Sequence, residues 1–344
     1  MTDAPLRPPL RTIVVGFGQI ASGLEADAKM AAHFKYATHA QVLNDHPNFD
    51  WLGVVDPSNE AQTAARDKWN VPHVGDGLVD IIAKTDPEVV IITAPPETRL
   101  SIINQCPNLK SAFVEKPLNL NGNEGDELVD ACIKRGINLQ VNFWRRGDQL
   151  FRELAAERLA TLVGTPEAIF ATYGNGLRNN ASHMIDFIRM LLGEITAVQA
   201  SGPASALEFP QLPGDVHLAF SASLETGATV AVQPIDFANY REIGLDIWGS
   251  LGRLTILQEG LSIRHYPVVE NRALENEKEI NSDVGTALES TVSTALYNLY
   301  DNLYAATVKD APLVSSGTSA IRTENIIKAV LASADRLGER VVLG

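Results

Sequence analysis

Residues 12–21 read TIVVGFGQIA, and this stretch decides the expected fold. Its first four residues are all β-branched, which predicts a buried strand. The strand leads directly into GFGQIA, a G-x-G-x-x-A sequence. In such a turn the first glycine permits a tight backbone, the second lets a pyrophosphate approach, and the alanine allows close packing of the next helix. The stretch therefore predicts a dinucleotide-binding turn.

An acidic residue after the second apolar run, residues 51–55, strengthens this interpretation. The carboxylate of Asp56 is predicted to accept hydrogen bonds from the adenosine ribose hydroxyls and to repel a 2′-phosphate. NAD is therefore expected rather than NADP. Asp56 lies 56 − 18 = 38 residues after Gly18, whereas about 20 is usual. Residues 23–38 are accordingly predicted to be an insertion before a helix at residues 39–43.

The order of apolar runs predicts two domains of different construction. Continuous apolar runs separated by helical patterns indicate a parallel sheet covered on both faces; the further runs are residues 89–93, 112–115 and 138–141. Beyond about residue 150, alternating segments indicate a large, mostly antiparallel sheet with one exposed face; they are residues 167–173, 217–224, 229–235, 244–248 and 253–256. Long helices are predicted at residues 287–307 and 318–336.

These patterns predict an α/β Rossmann domain at residues 1–122 and an α+β domain at residues 123–344. Residues 123–145 and the C-terminal helix are expected to pack on the first domain. An exposed sheet face in the second domain suggests self-association, as a homodimer or homotetramer.

Composition narrows the classes of partner. The 344-residue chain carries 28 Lys and Arg against 42 Asp and Glu, a net charge of −14. Nucleic acid and anionic membranes attract clustered cations, so neither is expected as a partner. The two cysteines lack metal-ligand spacing, and no metal site is predicted. The absence of a signal-like or membrane-spanning apolar run predicts a cytoplasmic protein.

A lysine is predicted to project from the same sheet edge as the glycine turn. Lys116 follows the fourth apolar run and precedes Pro117, which disfavours helical geometry at the lysine. In a crevice, desolvation would lower the pKa of its amine and suit it to proton transfer with a substrate hydroxyl. A solvated surface lysine is the alternative.

A histidine is predicted near the start of a buried helix. Asn180 has the character of an N-cap, and apolar residues follow at helical spacing from Met184. His183 would then lie in the first turn, where the positive helix end disfavours imidazolium. Asp186, three residues on, is placed to orient the ring. A capping or core histidine is the alternative.

Together these segments resemble the glucose–fructose oxidoreductase/inositol dehydrogenase/MocA-like (Gfo/Idh/MocA) family. The resemblance rests on Gly16-Phe17-Gly18, Asp56, Ala94-Pro95-Pro96, Glu115-Lys116-Pro117 and Ser182-His183-Met184-Ile185-Asp186, with a closing helix after Arg322. It implies hydride transfer between NAD(P) and a carbinol of a sugar, cyclitol or nucleotide sugar. It also implies proton transfer by Lys116 and His183, with a Lys116–Pro117 peptide that is often cis.

The expected site residues fall into three groups. The expected catalytic residues are Lys116 and His183. The expected cofactor-binding residues are Gly16, Phe17, Gly18, Gln19, Ile20, Asp56, Thr93, Ala94, Pro95, Glu115 and Lys116. The expected substrate-binding residues are Lys116, Asn142, Arg145, Tyr173, Arg178, Asn179, Asn180 and His183.

Two positions depart from the family pattern. Many members place an aspartate four residues before the histidine, where this chain has Asn179, and a histidine after the proline loop, where it has Arg99. The insertion resembles members encoded with surface-polysaccharide or nucleotide-sugar genes. Two rival functions remain: a regulatory protein that binds NAD or a sugar without turnover, and an enzyme that recycles tightly bound NAD.

Overall fold

A computed structural model describes residues 8–120 and 122–344. The chain divides into two compact units. The first unit comprises Met1–Gly147 and Ser293–Ile321, and the second comprises Asp148–Val292 and Arg322–Gly344. The sequence-based boundary after residue 122 differs from this division because residues 138–141 form a strand of the first unit's sheet.

The first unit is built on a six-stranded parallel sheet. Its strands are β1 (Leu10–Val15), β2 (Phe49–Val55), β3 (His73–Gly75), β4 (Val89–Ile92), β5 (Ser111–Val114) and β6 (Asn138–Val141). Their order in the sheet is β3-β2-β1-β4-β5-β6, so successive strands are added first on one side of β1 and then, from β4 onward, on its other side. Ligands bind in open α/β sheets at the carboxyl edge beside such a change of side. The glycine turn follows β1 directly at this edge.

Helices cover both faces of this sheet. They are α1 (Ala28–His33), α2 (His39–Asp45), α3 (Asn59–Asp67), α4 (Leu78–Thr85), α5 (Pro96–Gln105), α6 (Glu124–Arg135) and α10 (Ala295–Lys309). Alternate residues of β1 enter two separate cores, since Ile13 packs with α5 and α6 side chains whereas Val14 packs with those of α2 and α10. This explains why β1 is apolar along its whole length.

The second unit contains a ten-stranded mixed sheet, with the order β16-β15-β14-β13-β7-β12-β11-β8-β18 and β17 paired to β15. Its strands are β7 (Pro166–Tyr173), β8 (Ile195–Ala200), β11 (Phe220–Leu224), β12 (Thr229–Pro234), β13 (Gly244–Gly249), β14 (Gly252–Leu257), β15 (Ser262–Glu270), β16 (Lys278–Ile280), β17 (Thr286–Leu288) and β18 (Val341–Val342). The pairing of β7 with β12 is parallel, and the other ladders of this sheet are antiparallel. The predicted fold class is confirmed.

Shorter elements complete the second unit. They are α7 (Gln149–Glu153), α8 (Leu159–Val163), α9 (Ser182–Leu192) and the two-residue strands β9 (Ser205–Ala206) and β10 (Val216–His217). The long helix α11 (Gly317–Asp335) begins in the first unit and continues into the second. Among the described residues, no helix combines the length and apolar character needed to cross a membrane.

Several sequence predictions of secondary structure were incomplete, and β8 (Ile195–Ala200) is one of the strands that were not predicted. The helix expected over residues 287–307 starts only at Ala295, because residues 286–288 form β17 against β15. Strand β15 was not predicted; its sequence, SIRHYPVVE, lacks a regular alternation of apolar and polar residues. The strands β15 and β17 form by pairing with strands elsewhere in the sheet, which a local sequence pattern does not show.

Candidate functional site

The glycine turn after β1 requires glycine at its first position. Gly16 has φ = +86°, a left-handed conformation that disfavours L side chains. A Cβ there would lie 2.8 Å from Thr93 Oγ1 and 2.9 Å from the backbone nitrogen of Ala94. The hydroxyl of Thr93 also donates to the carbonyl of Gly16 at 2.8 Å. The ends of β1 and β4 are thus held in direct contact.

The second glycine leaves open space at the surface of the turn. A Cβ on Gly18 would meet nothing within 4 Å, and the backbone φ of −84° suits any residue. Beside it lies a cavity of about 330 Å³. Its lining includes Phe17, Gly18, Gln19, Asp56 and Ser58. Neither strain nor packing within the protein calls for glycine at position 18, so the free space fits a ligand that approaches the backbone.

Asp56 binds the glycine turn as well as facing this cavity. Its Oδ2 accepts the backbone N–H of Phe17 at 2.6 Å, and its Oδ1 accepts that of Ser58 at 2.8 Å. Each carboxylate oxygen has a second lone pair with which it can accept a ribose hydroxyl. The predicted ribose-binding carboxylate is therefore held rigidly in place.

The helical start after the turn is irregular. Residues Gln19–Gly23 form one π turn and Leu24–Ala26 one 3₁₀ turn, followed by α1. Ile20 is half-buried in the π turn, and Ala21 is fully buried against the sheet as the sequence pattern requires. The predicted helix at His39 is present as α2, and Thr38 and Gln41 form a capping box at its start.

Lys116 lies at the carboxyl edge, in a loop fixed by a buried arginine. The Lys116–Pro117 peptide is cis. Arg99, on α5, donates from Nη1 to the carbonyl of Glu115 at 2.5 Å and to that of Pro117 at 2.8 Å. Its Nε donates to the carbonyl of Ala94 at 3.1 Å, so one side chain joins the loops after β4 and β5. Pro95 caps α5, which places Arg99 one turn into that helix.

The carboxylate of Glu115 points into a buried polar cluster. Its Oε1 accepts from Nδ2 of Asn142 at 2.7 Å and contacts Nε2 of His39 at 2.9 Å. The other ring nitrogen of His39 contacts the hydroxyl of Tyr300 at 2.7 Å. Burial alone would raise the pKa of Glu115, but His39, Asn142 and the charge of Lys116 together hold it below its usual value. Glu115 is therefore ionised at neutral pH.

Two predicted substrate residues lie at the end of β6. Asn142 is buried, and its Nδ2 is engaged by Glu115, whereas its Oδ1 has no hydrogen-bond partner within the described residues. Arg145 is also buried, with its guanidinium 4.3 Å from the centre of the Trp144 ring. Trp144 in turn meets Phe34 of the insertion edge-to-face. Arg145 is therefore not a surface ion-pair residue.

Tyr173, at the end of β7, has a structural role in the second unit. Its side chain is fully buried, and its hydroxyl donates to the carbonyl of Leu218 at 2.8 Å and accepts that residue's N–H at 2.9 Å. Burial raises the pKa of the phenol, which stays protonated. We do not assign a substrate contact to Tyr173.

The segment before α9 differs from the predicted N-cap at Asn180. Leu177–Ala181 form a π turn that runs on into α9 at Ser182. The carboxylate of Asp215 accepts the backbone N–H groups of Arg178 and Asn179 at 2.9 and 3.0 Å. The prediction was wrong because the free N–H groups lie one turn earlier and a distant aspartate caps them. His183 is consequently preceded by a turn of helical backbone.

The polar residues around His183 are placed by this turn. Nδ2 of Asn179 donates to Oε1 of Gln211 at 2.9 Å, and Asn180 is buried. Asp186 is buried as well and lies 3.7 Å from Nη1 of Arg189. His183 itself is half-buried in the second position of α9. The roles predicted for Arg178, Asn179, Asn180 and His183 remain predictions.

Sequence reasoning missed His39 and Asp215 as site residues. His39 was noted only as part of a helix, although a histidine among apolar helix residues was a usable signal. Asp215 is 36 residues from Asn179, and no local pattern connects them. Among the described residues, no three His, Cys, Asp or Glu side chains cluster as metal ligands would.

Comparison with known proteins bears on the first unit most directly. Residues 10–143 match the sequence model GFO_IDH_MocA, described as an oxidoreductase family with an NAD-binding Rossmann fold. Over these residues, the match agrees with the resemblance drawn from the sequence and with NAD as the cofactor class. It covers the glycine turn, Asp56 and the Glu115-Lys116-Pro117 loop.

Curated relatives match over part of their length. Scyllo-inositol 2-dehydrogenase (NAD(+)) of Bacillus subtilis is 30% identical over 187 residues, which cover 49% of this chain and 55% of that protein. An uncharacterized oxidoreductase, YrbE, of the same organism is 24% identical over 212 residues, 56% of this chain and 62% of that protein. The chain thus spans less than two thirds of the length of each of these two relatives.

A solved structure matches over the whole chain. The WlbA dehydrogenase of Chromobacterium violaceum, crystallised with NADH and UDP-GlcNAcA, superposes with a TM-score of 0.72. The two share 21% identity, over 100% of this chain and 99% of that one. This similarity shows that both units have the same fold as that protein.

Proposed function

We propose, from the match of residues 10–143 to the Gfo/Idh/MocA oxidoreductase family model, that this chain is an NAD-dependent oxidoreductase. Its reaction is the transfer of a hydride between nicotinamide and a carbinol of a sugar, cyclitol or nucleotide sugar. The observation that carries the proposal is the carboxyl edge of the parallel sheet. At this edge, Gly18 leaves open space next to the backbone, and the Asp56 carboxylate is hydrogen-bonded to the glycine turn. The loop that carries Lys116 is hydrogen-bonded to Arg99.

The residues that would hold the dinucleotide are those of the glycine turn. Gly18 leaves the space that a pyrophosphate needs, and Asp56 accepts the ribose hydroxyls. NAD, when bound, supplies the hydride acceptor, and the protein supplies binding and orientation. The negative charge of Asp56 opposes a 2′-phosphate and favours NAD over NADP.

Lys116 and His183 are proposed to manage the proton of the reacting hydroxyl. A carbinol that loses hydride must also lose its hydroxyl proton, and positioned acid–base groups commonly accelerate such steps by about 10²–10⁴-fold. Lys116 is held at the carboxyl edge by Arg99 and is half-buried. Arg145, buried against Trp144, is proposed to bind an anionic group of the substrate through its planar guanidinium.

The relatives support a polyol or sugar substrate. The scyllo-inositol enzyme acts on a cyclitol, and the WlbA structure contains a nucleotide sugar. We propose a cytoplasmic location; two free, buried cysteines support it, since free thiols are usual in a reducing compartment.

We propose in addition that the outer face of the ten-stranded sheet mediates a homodimer or homotetramer. Phe170 is 52% exposed at the middle of β7. Its neighbours across the sheet are Ala231 and Asp246. Light scattering should give a dimeric or tetrameric mass, and Phe170→Glu should reduce it. A monomeric mass for the unmutated protein would refute this assignment.

The test of function is a substrate screen. Purified protein is incubated with NAD and a panel of cyclitols, free sugars and nucleotide sugars, and nicotinamide absorbance is followed. Reduction of NAD by at least one panel class, absent in Lys116→Met, supports the proposal. Bound nicotinamide whose absorbance changes without release would indicate recycling instead. Binding of NAD with no reduction across the panel would favour the regulatory alternative.

A further inference from the structure

Arg99 links two loops at the carboxyl edge of the parallel sheet. It lies in the first half of α5 and is only 2% exposed. Its Nη1 donates to the carbonyl of Glu115 at 2.5 Å and to that of Pro117 at 2.8 Å. Its Nε donates to the carbonyl of Ala94 at 3.1 Å. One buried guanidinium thus holds three backbone carbonyls, two from the loop after β5 and one from the loop after β4.

The two carbonyls after β5 lie on either side of Lys116 in the chain. Glu115 immediately precedes the lysine and Pro117 immediately follows it, so Arg99 holds the backbone before and after this residue. The amine of a lysine ends a flexible stem of four carbons, and the backbone sets the point at which that stem begins. Arg99 therefore determines where the Lys116 side chain starts at the sheet edge.

The third carbonyl connects this loop to the glycine turn. Ala94 follows Thr93, whose hydroxyl donates to the carbonyl of Gly16 at 2.8 Å. The hydrogen bonds of Thr93 and Arg99 consequently join three segments: the glycine turn after β1, the loop after β4 and the loop that carries Lys116. Each of these segments contains residues predicted to bind the dinucleotide. A displacement of the loop after β4 is thereby passed on to the backbone of Lys116.

An arginine has the donors that this linkage needs. Its guanidinium is planar, stays charged, and carries five N–H groups in a fixed arrangement. A lysine has its three donors on one nitrogen, and a histidine ring donates at most two hydrogen bonds. Neither can reproduce bonds that leave from two different nitrogens to three carbonyls. Arg99, which departs from the histidine of many family members, therefore gives this chain a linkage that a histidine would not complete.

We propose that Arg99 is a positioning residue that couples the cofactor-binding loop after β4 to the backbone of Lys116. The inference rests on the proposed function in that Lys116 takes part in the proton transfer. A reacting group misplaced by about 1 Å can cost about 10²-fold in rate, so loss of the linkage should lower turnover through Lys116. The three bonds go to backbone carbonyls, so the linkage does not require the lysine side chain.

The first arm of the test needs no turnover. Hydrogen–deuterium exchange of the full chain is followed in peptides that cover residues 93–98 and 115–120. Arg99→Met should increase the exchange rate in both peptides by about tenfold or more, since hydrogen bonds from a charged group are lost. If Arg99→Met does not fold, Arg99→Lys replaces it in both arms, because lysine keeps the charge but cannot span the three carbonyls.

Two control variants accompany this arm. Arg135 donates to the carbonyls of Ile103 and Cys106 at 2.6 and 2.5 Å, at the far end of α5. Arg135→Met therefore removes bonds of the same kind from the same helix and should leave both peptides unchanged. Lys116→Met should also leave them unchanged, because it removes the amine and keeps the carbonyls that Arg99 binds.

The second arm measures kcat on the substrate that the screen identifies. Arg99→Met should lower kcat by about 10–100-fold, whereas Arg135→Met should keep the wild-type value. Combining Arg99→Met with Lys116→Met should give the kcat of Lys116→Met alone, because no amine is left to misplace. Such non-additivity is the signature of two residues that act through one another, and a purely structural loss would add to the effect of Lys116→Met.

The outcomes separate this inference from the proposed function. Unchanged exchange over residues 115–120 in Arg99→Met, or an equal rise throughout the first unit, would overturn the linkage. An equal rise in Arg135→Met would do the same. A further fall in kcat when Arg99→Met is added to Lys116→Met would show that Arg99 does not act through the lysine. Exchange that responds as expected in a protein that reduces no NAD refutes the proposed function alone.

Discussion

The carboxylate of Asp56 accepts the backbone N–H of Phe17 at 2.6 Å. The residue that follows β2 is thereby bonded to the turn that follows β1. One carboxylate thus stabilises the glycine turn and faces the cavity beside it. Substitutions at this position affect both the turn and the cofactor preference, and the choice of side chain separates the two effects.

Asp56→Asn should narrow the preference for NAD over NADP. Asparagine keeps an oxygen that accepts from Phe17 but loses the charge that repels a 2′-phosphate. The ratio of kcat/KM values for the two cofactors should fall by an equivalent of about 1–3 kcal/mol, the worth of a charge-assisted hydrogen bond. Asp50→Asn, at the exposed opposite end of β2, is the control. Equal use of both cofactors by the unmutated protein would refute the assignment.

The two glycines of the turn should respond differently to alanine. Gly16→Ala forces a side chain into a left-handed backbone and against Thr93, which should cost at least about 1–2 kcal/mol of unfolding free energy. Gly18→Ala meets only open space in the protein, so its thermal midpoint should not change. Its affinity for NAD should fall on the order of tenfold, or about 1.4 kcal/mol. Wild-type NAD affinity in Gly18→Ala, measured by fluorescence titration, would contradict a pyrophosphate at this position.

Lys116→Met should separate chemistry from cofactor binding. Loss of the amine should lower kcat by about 10²–10⁴-fold on the substrate that the screen identifies. The dissociation constant for NAD should stay within a few-fold. Lys110→Met is the control variant, since Lys110 lies at the other end of β5 and its amine donates to Glu88 at 2.5 Å. Turnover that survives in Lys116→Met would exclude a catalytic role for this lysine.

Asn179→Asp tests the family departure at this position. In the structure, the Asn179 amide donates to Gln211, and the backbone nitrogen donates to Asp215. A new carboxylate would lose the first bond and repel Asp215, so the pKa of the introduced acid should rise. When the pKa of an acid is higher in the folded state than in the unfolded chain, ionising that acid lowers the free energy of unfolding. The loss is present above the folded-state pKa and disappears as the acid is protonated at lower pH.

Urea unfolding at several pH values checks this expectation. Asn179→Asp should be less stable than the wild type at neutral pH and should approach it in acid. Asn179→Ala loses the same hydrogen bond without a charge, so its deficit should not depend on pH. A pH-independent deficit in Asn179→Asp would show that position 179 does not interact with Asp215 electrostatically.

His46 should make the first unit sensitive to mild acid. The ring is buried, stacks on Tyr297 with centroids 4.6 Å apart, and contacts Asp301 at 3.1 Å. Burial lowers the pKa of His46, although the charge and hydrogen bond of Asp301 partly oppose it. The unfolded chain takes up a proton near its ordinary pKa of about 6.5, whereas the folded ring resists it. Stability that His46 contributes is therefore lost as pH falls below about 6.5.

The measurement is the difference in unfolding free energy between wild type and His46→Gln across mild acid. The wild type should lose more stability than the variant between about pH 7 and pH 5. His33→Gln, at an exposed position in α1, should follow the wild type. Parallel pH profiles for wild type and His46→Gln would show that the ring titrates equally in both states.

The sequence alone determined the fold class and the nucleotide-binding turn. Continuous β-branched runs predict buried parallel strands because helices cover both faces of such a sheet. Gly16, Gly18 and Asp56 follow a pattern in which each residue type has a local physical reason, so their positions could be read without coordinates. Lys116 could be placed at the sheet edge because Pro117 restricts the residue before it.

Tertiary structure alone decided what surrounds these residues. Arg99 reaches two loops, His39 and Tyr300 converge on Glu115, and Asp215 caps a turn 36 residues away. Each contact joins residues far apart in sequence, where propensity and periodicity carry no information. The N-cap predicted at Asn180 was wrong for the same reason, since Asp215 caps the turn that precedes α9. Residue types and their local spacing indicated which residues are candidates for binding and catalysis. Packing between distant segments determined which charged and polar groups surround them.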